Sequence, residues 1–340
     1  MQDFKIPSPN QQEIPSSANL FKALLLMALL LASFWMAQRG VSMIESSQLS
    51  GWMAAGLKWT LVVILATIDG MFLIGMGALA HDAVHKVLFR SVFWNDLWGG
   101  VLSALILAPF YANRQIHLTH HAYAHQPGLD PENEMHDRSF LGAMTIGSLV
   151  GIYIHYRIIA YNLLHITNRK LAARAIKDLL FVAFAGIVYF MLVPALGFSL
   201  AYTVVPMLLA FPLVFAWRAL ADHYGIPPVV RESKKREQVL EADAGNWLRD
   251  QERLRLEVSG WVVLTHPLLE WLWSGVNYHE VHHKYPYLSH RYLKQIFEVT
   301  RTTNPYLVVN GYWRSLFNVS HRNYYATQEE VLPFLSTARR

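Results

Sequence analysis

The 340-residue sequence contains no cysteine. That excludes disulfides, thiolate-bound zinc, iron–sulfur clusters and cysteine nucleophiles together. Charge is scarce too: Asp, Glu, Lys and Arg make up 16% of the chain, below the usual quarter, while 53% is hydrophobic. This is not the composition of an ordinary soluble enzyme, and it points to one membrane-embedded unit rather than two soluble domains. The polar N-terminus (MQDFKIPSPNQQEIPSSANL) has no charged segment leading straight into a cleavable apolar core. A secretory signal is therefore not expected, and the first apolar span is retained. The net charge of +5 could suggest nucleic acid. Basic residues flanking apolar spans face anionic lipid instead, so no nucleic-acid partner is expected.

Apolar runs order the chain. Residues 20–37 are about long enough to cross a bilayer. Residues 52–80 would make a helix of ~43 Å at 1.5 Å per residue, longer than the ~30 Å hydrocarbon layer, so the end at His81 should project beyond it. Asp69 lies within this run, either as a functional intramembrane acid or as a structural one beside Gly70. Residues 94–112 and 141–164 are apolar, yet both are read as lying in the interface. Two more spans follow, about 178–195 and 199–217. Four spans return the chain to its starting side. Lys and Arg crowd 156–177 and 231–256, whereas 38–51 holds only Arg39 and 194–199 none. The positive-inside rule then places both termini on the cytoplasmic side. Residues 231–256 read as a solvated helix and loop or a redox-partner docking face, and 259–275 as a shallow Trp-rich helix. No internal repeat is evident.

Histidines carry the chemistry. Of 16 in the chain, eight fall in three tight groups: His81 and His85 (HDAVH), His117, His120 and His121 (HLTHH), and His279, His282 and His283 (HEVHH). Positions i, i+3 and i+4 share a helix face, so each group can aim its imidazoles at a common point. Imidazole suits iron, zinc and copper. Eight ligands exceed what one ion uses, and two metals are expected. A shared site requires all three groups at one membrane face, which the four-span topology satisfies. A metal transporter or bis-histidine haem carrier is the non-enzymatic alternative. It fits less well, because transporters place ionisable groups near the midplane and haem needs only two axial histidines.

The order H-x3-H, H-x2-H-H, H-x2-H-H at the ends of four spans resembles the membrane fatty acid desaturase and hydroxylase superfamily. LAHDAVH, HLTHHAYAH with a downstream DPEN, WRALADHYGIP and NYHEVHHKYP carry the resemblance, which covers about residues 60–300. It implies an all-α integral membrane fold with a cytoplasmic histidine-rich cap. The corresponding division is a polar tail over 1–18, a desaturase-like domain over 19–305 and a C-terminal cytoplasmic tail over 306–340. It also implies a non-haem di-iron centre that activates O2. By position the eight box histidines are the ligands and His223 the additional one, with a structural histidine paired to Asp222 or Arg218 as its alternative. Asn277 could hold a metal-bound water or serve as an ordinary capping residue. His125 extends the second box as a supporting residue or as a loop-surface histidine. Ligating histidines usually pass their other N–H to a carboxylate, and Asp82, Asp130, Glu132, Asp222 and Glu280 are close enough in sequence. The other six histidines (136, 155, 165, 266, 290 and 321) are read as structural or surface residues, with His290 the nearest to a site role.

The resemblance implies an acyl-lipid desaturase taking O2 and electrons from a separate carrier, ferredoxin-like or cytochrome b5-like. A carotenoid hydroxylase or ketolase is the second reading, since the acidic run after the second box is familiar in that branch. A lipid hydroxylase is the third.

Overall fold

The computed structural model describes residues 4–228 and 258–336. The charged stretch 231–256 lies outside the described residues. The described chain is almost wholly helical, with a single pair of short strands. Its two longest helices, α1 (Ser16–Glu45) and α2 (Gly51–Val84), are apolar on all sides, as segments with lipid on one side and protein on the other must be. On α1, Leu26, Leu30, Phe34, Ala37 and Val41 recur every three or four residues and are buried, whereas Phe21, Leu24, Leu31 and Trp35 stay exposed for lipid. α2 is the hub, packed by α1, by α3 (Val92–Leu105) and by α8 (Val204–His223).

Among the described residues five helices are long and apolar enough to cross a membrane: α1, α2, α6 (Phe140–Leu164), α7 (Arg169–Ala195) and α8. Contacts separate α6 from the others. The far face is fixed where the Gln38 side-chain oxygen Oε1 accepts the Ser199 amide (2.9 Å), Lys58 pairs with Glu45 (3.0 Å) and Trp59 packs on Tyr202. The end of α7 and the start of α8 therefore lie there, and the start of α7 lies at the opposite, histidine-bearing face. α6 stays near that face. Its Arg157 pairs with Glu134 and its His155 bonds Asn113, one turn from His117. By length and composition five described helices could cross, one more than the four expected from the sequence, and these contacts tie α6 to the histidine-bearing face.

α3 and α4 (Phe110–Tyr123) form a bent pair with a 98° break. α3 descends until the Leu105 carbonyl meets the Tyr189 hydroxyl on α7, and α4 turns back. A Cβ at Gly100 would come within 2.2 Å of the Phe181 ring, so glycine lets α3 pass α7 this closely. The first turn of α4 is held from outside itself: Asp178 on α7 accepts the Tyr111 and Ala112 amides at 2.8 and 2.9 Å. A neighbouring helix thus supplies the acceptor that an N-cap residue normally provides.

Two expectations change. Residues 259–275 are not one shallow helix. Trp261–Leu264 form strand β1, parallel to β2 (Leu307–Asn310), and a short helix α9 (Pro267–Leu272) follows. The facing Val-Val pairs suit a buried two-stranded ribbon. Residues 306–336 are not a tail but part of the packed cap. β2 completes the ribbon, Ser315 on α12 (Tyr312–Ser320) donates to the Ala221 carbonyl beside His223, and Tyr324 donates to Asn133.

Candidate metal centre

Each box sits where an element ends at the histidine face. His81 and His85 close α2, His117–His121 occupy the last turns of α4, His223 ends α8, and His279–His283 lie on α10 (His279–Lys284). The ribbon anchors α10: Asn277 takes the Val263 amide on its carbonyl and returns its side-chain amide to the Val263 carbonyl. Gly260, just before β1, abuts the site; a Cβ there would lie 3.0 Å from the His279 ring and 3.2 Å from the Asp222 carbonyl.

All nine expected histidines converge, but not box by box. One group joins His81, His85, His117, His121 and His282; the other joins His120, His223, His279 and His283. Within each, candidate ligand atoms lie within 4.8 Å of one another. The second and third boxes are split. Residues four apart (117 and 121, 279 and 283) share a group, while the middle histidines (120 and 282) cross to the other. Successive helix residues point about 100° apart, so an H-H pair divides between two points instead of converging on one. The groups adjoin, with the His121 and His283 rings stacked 4.3 Å apart.

The contacts fit bound cations better than hydrogen bonds. Nε2 of His117 lies 2.9 Å from Nε2 of His85 and of His121, and Nε2 of His121 lies 3.0 Å from that of His282. In the other group, His283 Nε2 faces His279 at 3.0 Å and His120 at 3.3 Å. An imidazole nitrogen offers one proton or one lone pair in one direction, so a nitrogen with two such neighbours cannot bond both linearly. Nε2 of His81 and Nδ1 of His223 and His279 are buried with no hydrogen-bond partner among the described residues. Lone pairs converging from five and four imidazoles make a donor set suited to iron, zinc or copper.

Electrostatics favour the neutral ligands. Burial, then neighbouring imidazoles, holds His117, His279, His282 and His283 well below the ordinary histidine range. Burial lowers His85 to about 4 against the raising influence of Asp82. His120 is the exception. Burial acts to lower it, but the Glu132 and Asp130 carboxylates prevail and raise it to about 9. Asp130 accepts from its Nδ1 at 2.9 Å.

The supporting residues divide. Asp130 and Glu132 face the histidines. Asp82 bonds His290 instead, which brings His290 to the second layer. Glu280 holds the Ser259 amide and pairs with Lys284, and Asp222 pairs with Arg218. His125 is fully buried rather than at a loop surface. Its Nε2 bonds the Ser259 carbonyl and its ring lies 6.0 Å from His223, outside both groups. His136, read as structural or surface, is buried with its ring stacked 6.4 Å from that of His223; no helical partner spacing marks it in the sequence. His155 is a half-buried structural residue that bonds Asn113.

A family model described as fatty acid desaturase matches residues 57–314. Over 81 residues the chain is 32% identical to the sn-1 oleoyl-lipid 12-desaturase of Arthrospira platensis, covering 24% of this chain and 23% of that one. Over 79 residues it is 29% identical to the dihydrorhizobitoxine desaturase of Bradyrhizobium elkanii, covering 23% and 22%. The matched segments thus span under a quarter of these curated relatives.

Proposed function

The chain belongs to the fatty acid desaturase family, and from that premise we propose that it is an O2-dependent, membrane-embedded di-iron desaturase that introduces a double bond into a long acyl chain. The single observation that carries this reading is the gathering of nine histidines, distant in sequence, into two adjoining all-imidazole groups. His81, His85, His117, His121 and His282 hold one iron, and His120, His223, His279 and His283 hold the other. Bound iron supplies the redox chemistry needed to activate O2 toward an unactivated methylene pair. The reaction balances as –CH2–CH2– plus O2, two electrons and two protons giving –CH=CH– plus two waters. The electrons come from a separate carrier of the ferredoxin or cytochrome b5 type, and the site faces the cytoplasm.

The protein's own part is positioning and exclusion. Asp130 fixes the outer nitrogen of His120, as carboxylates do for metal-bound imidazole. Asn277 keeps a buried Oδ1 with no hydrogen-bond partner among the described residues, an acceptor suited to a metal-bound water. Asp82 steadies the end of α2 through His290, and His125 steadies the loop after the second box. Burial of most of the histidines keeps bulk water from the reacting methylenes.

A carotenoid hydroxylase or ketolase is the second reading, favoured by the acidic run after the second box, whose Asp130 and Glu132 lie against the histidines. Expression in a host lacking polyunsaturated lipids, with labelled oleate, stearate and β-carotene supplied in turn, tests both. New double bonds in acyl lipid, with about two irons and no haem absorbance in the purified protein, are expected. Oxygen retained from 18O2 in a carotenoid product would replace the first reading with the second, and protein without metal would defeat both.

A further inference from the structure

Glu132 is a half-buried carboxylate with an unusual position. Its side chain is 14% exposed, and among the described residues no lysine or arginine pairs with it. One oxygen, Oε1, faces Nδ1 of His117 at 3.8 Å. The other, Oε2, faces Nδ1 of His120 at 3.8 Å and Nε2 of His223 at 3.9 Å. His117 belongs to the five-histidine group, and His120 and His223 to the four-histidine group. For His117 and His120 the facing nitrogen is the outer one, because their Nε2 atoms point at other histidines.

The local sequence enforces this placement. Asp130 Oδ1 accepts the Glu132 amide at 2.9 Å, an Asx-turn closed over Pro131, whose ring fixes φ. Asp130 Oδ2 is held by the His125 amide and by His120. Beyond it, Asn133 is tied to the Gln126 carbonyl and to Tyr324. Glu132 therefore stands on a loop bonded on both sides, not on a freely moving segment.

Carboxylates drawn partly out of water require compensating positive charge. Asp130 and Glu132 bring two carboxylates to this spot, and cations in the two histidine groups would offset them from both sides. We infer that Glu132 is a positioning residue shared by the two groups, its two oxygens orienting ligands of different metal ions, so that it strengthens binding at both. The inference rests on the di-iron reading above. A carboxylate behind a ligating imidazole fixes its orientation and strengthens its donation, and here one side chain serves two ions.

The test is anaerobic titration of the purified, metal-free, full-length protein with Fe2+ and separately with Co2+, whose absorption reports each site. Melting temperature is followed with and without metal. E132Q removes the charge at constant shape, E132D keeps the charge, and E134Q is a control two residues away whose partner is the exposed Arg157. E132Q is expected to weaken both sites by roughly 10–100-fold and to shrink the metal-induced rise in Tm, without lowering the Tm of the metal-free protein. E132D should recover part of the affinity, and E134Q should match wild type. E132Q that binds both ions normally, or weakens only one, overturns the shared role. A metal-free Tm lowered as much as the loaded one overturns it too, because the residue is then merely structural. Wild-type protein that takes up no metal would instead sink the di-iron reading itself.

Discussion

His120 and His121 are consecutive, yet their rings belong to different groups, and so do those of His282 and His283. His120→Ala and His121→Ala should therefore each leave about half the metal content but remove it from different sites. Two distinct residual spectra from these adjacent variants are the expected readout; identical spectra would mean a single shared site. Protonation gives a second check. Groups held below ambient pH have already lost their protons, whereas His120, raised to about 9, must give one up to ligate. Among the histidines outside the spans, metal uptake at neutral pH should accordingly release about one proton, from His120, rather than one per imidazole. Indicator-dye measurements in weak buffer would show this, and the release should vanish as pH rises through 9. The box histidines were legible because their types and spacing are distinctive. Their partition was not, because it depends on how α4 and α10 are rotated against α2.

At the scale of elements, the site is held together by acceptors that lie far away in sequence. Asp178, in an apolar stretch of α7, takes the first free amides of α4 and so fixes the helix that bears the second box. Asp178→Ala should cost about 1–2 kcal/mol, as loss of an N-cap does, with Asp178→Asn costing less. Thermal melting in detergent measures the loss, and metal affinity at both groups should fall with it, since α4 contributes to each. An isolated acid in a hydrophobic run is the only sequence signal for this role, and it gives no partner. The ribbon was missed for a similar reason. WVVL beside a Trp-rich apolar stretch reads equally as a helix, and only pairing with LVVN 46 residues later decides for a strand.

For the whole molecule, the long apolar helices and the bent α3–α4 pair bring every box to one site. The decisive segment is α6, long enough to span but tied to the histidine face by Arg157 and His155. The absence of native cysteine makes this directly testable. Thr167→Cys, in the connection after α6, should be labelled by an impermeant maleimide from the same side as His321→Cys. Ser47→Cys should be labelled from the opposite side. Labelling of Thr167→Cys together with Ser47→Cys would mean that α6 crosses and that the four-span parity is wrong.

The sequence by itself determined the membrane class and the three histidine boxes, because hydropathy and helical spacing are local properties that few alternatives satisfy. Tertiary structure alone decided which imidazoles share a group. It also decided that Glu132 rather than Glu280 faces them, that His136 and His125 are buried beside His223, and that the last residues complete the cap. Those outcomes depend on helix rotation and on contacts between residues scores to hundreds apart, which no local pattern encodes.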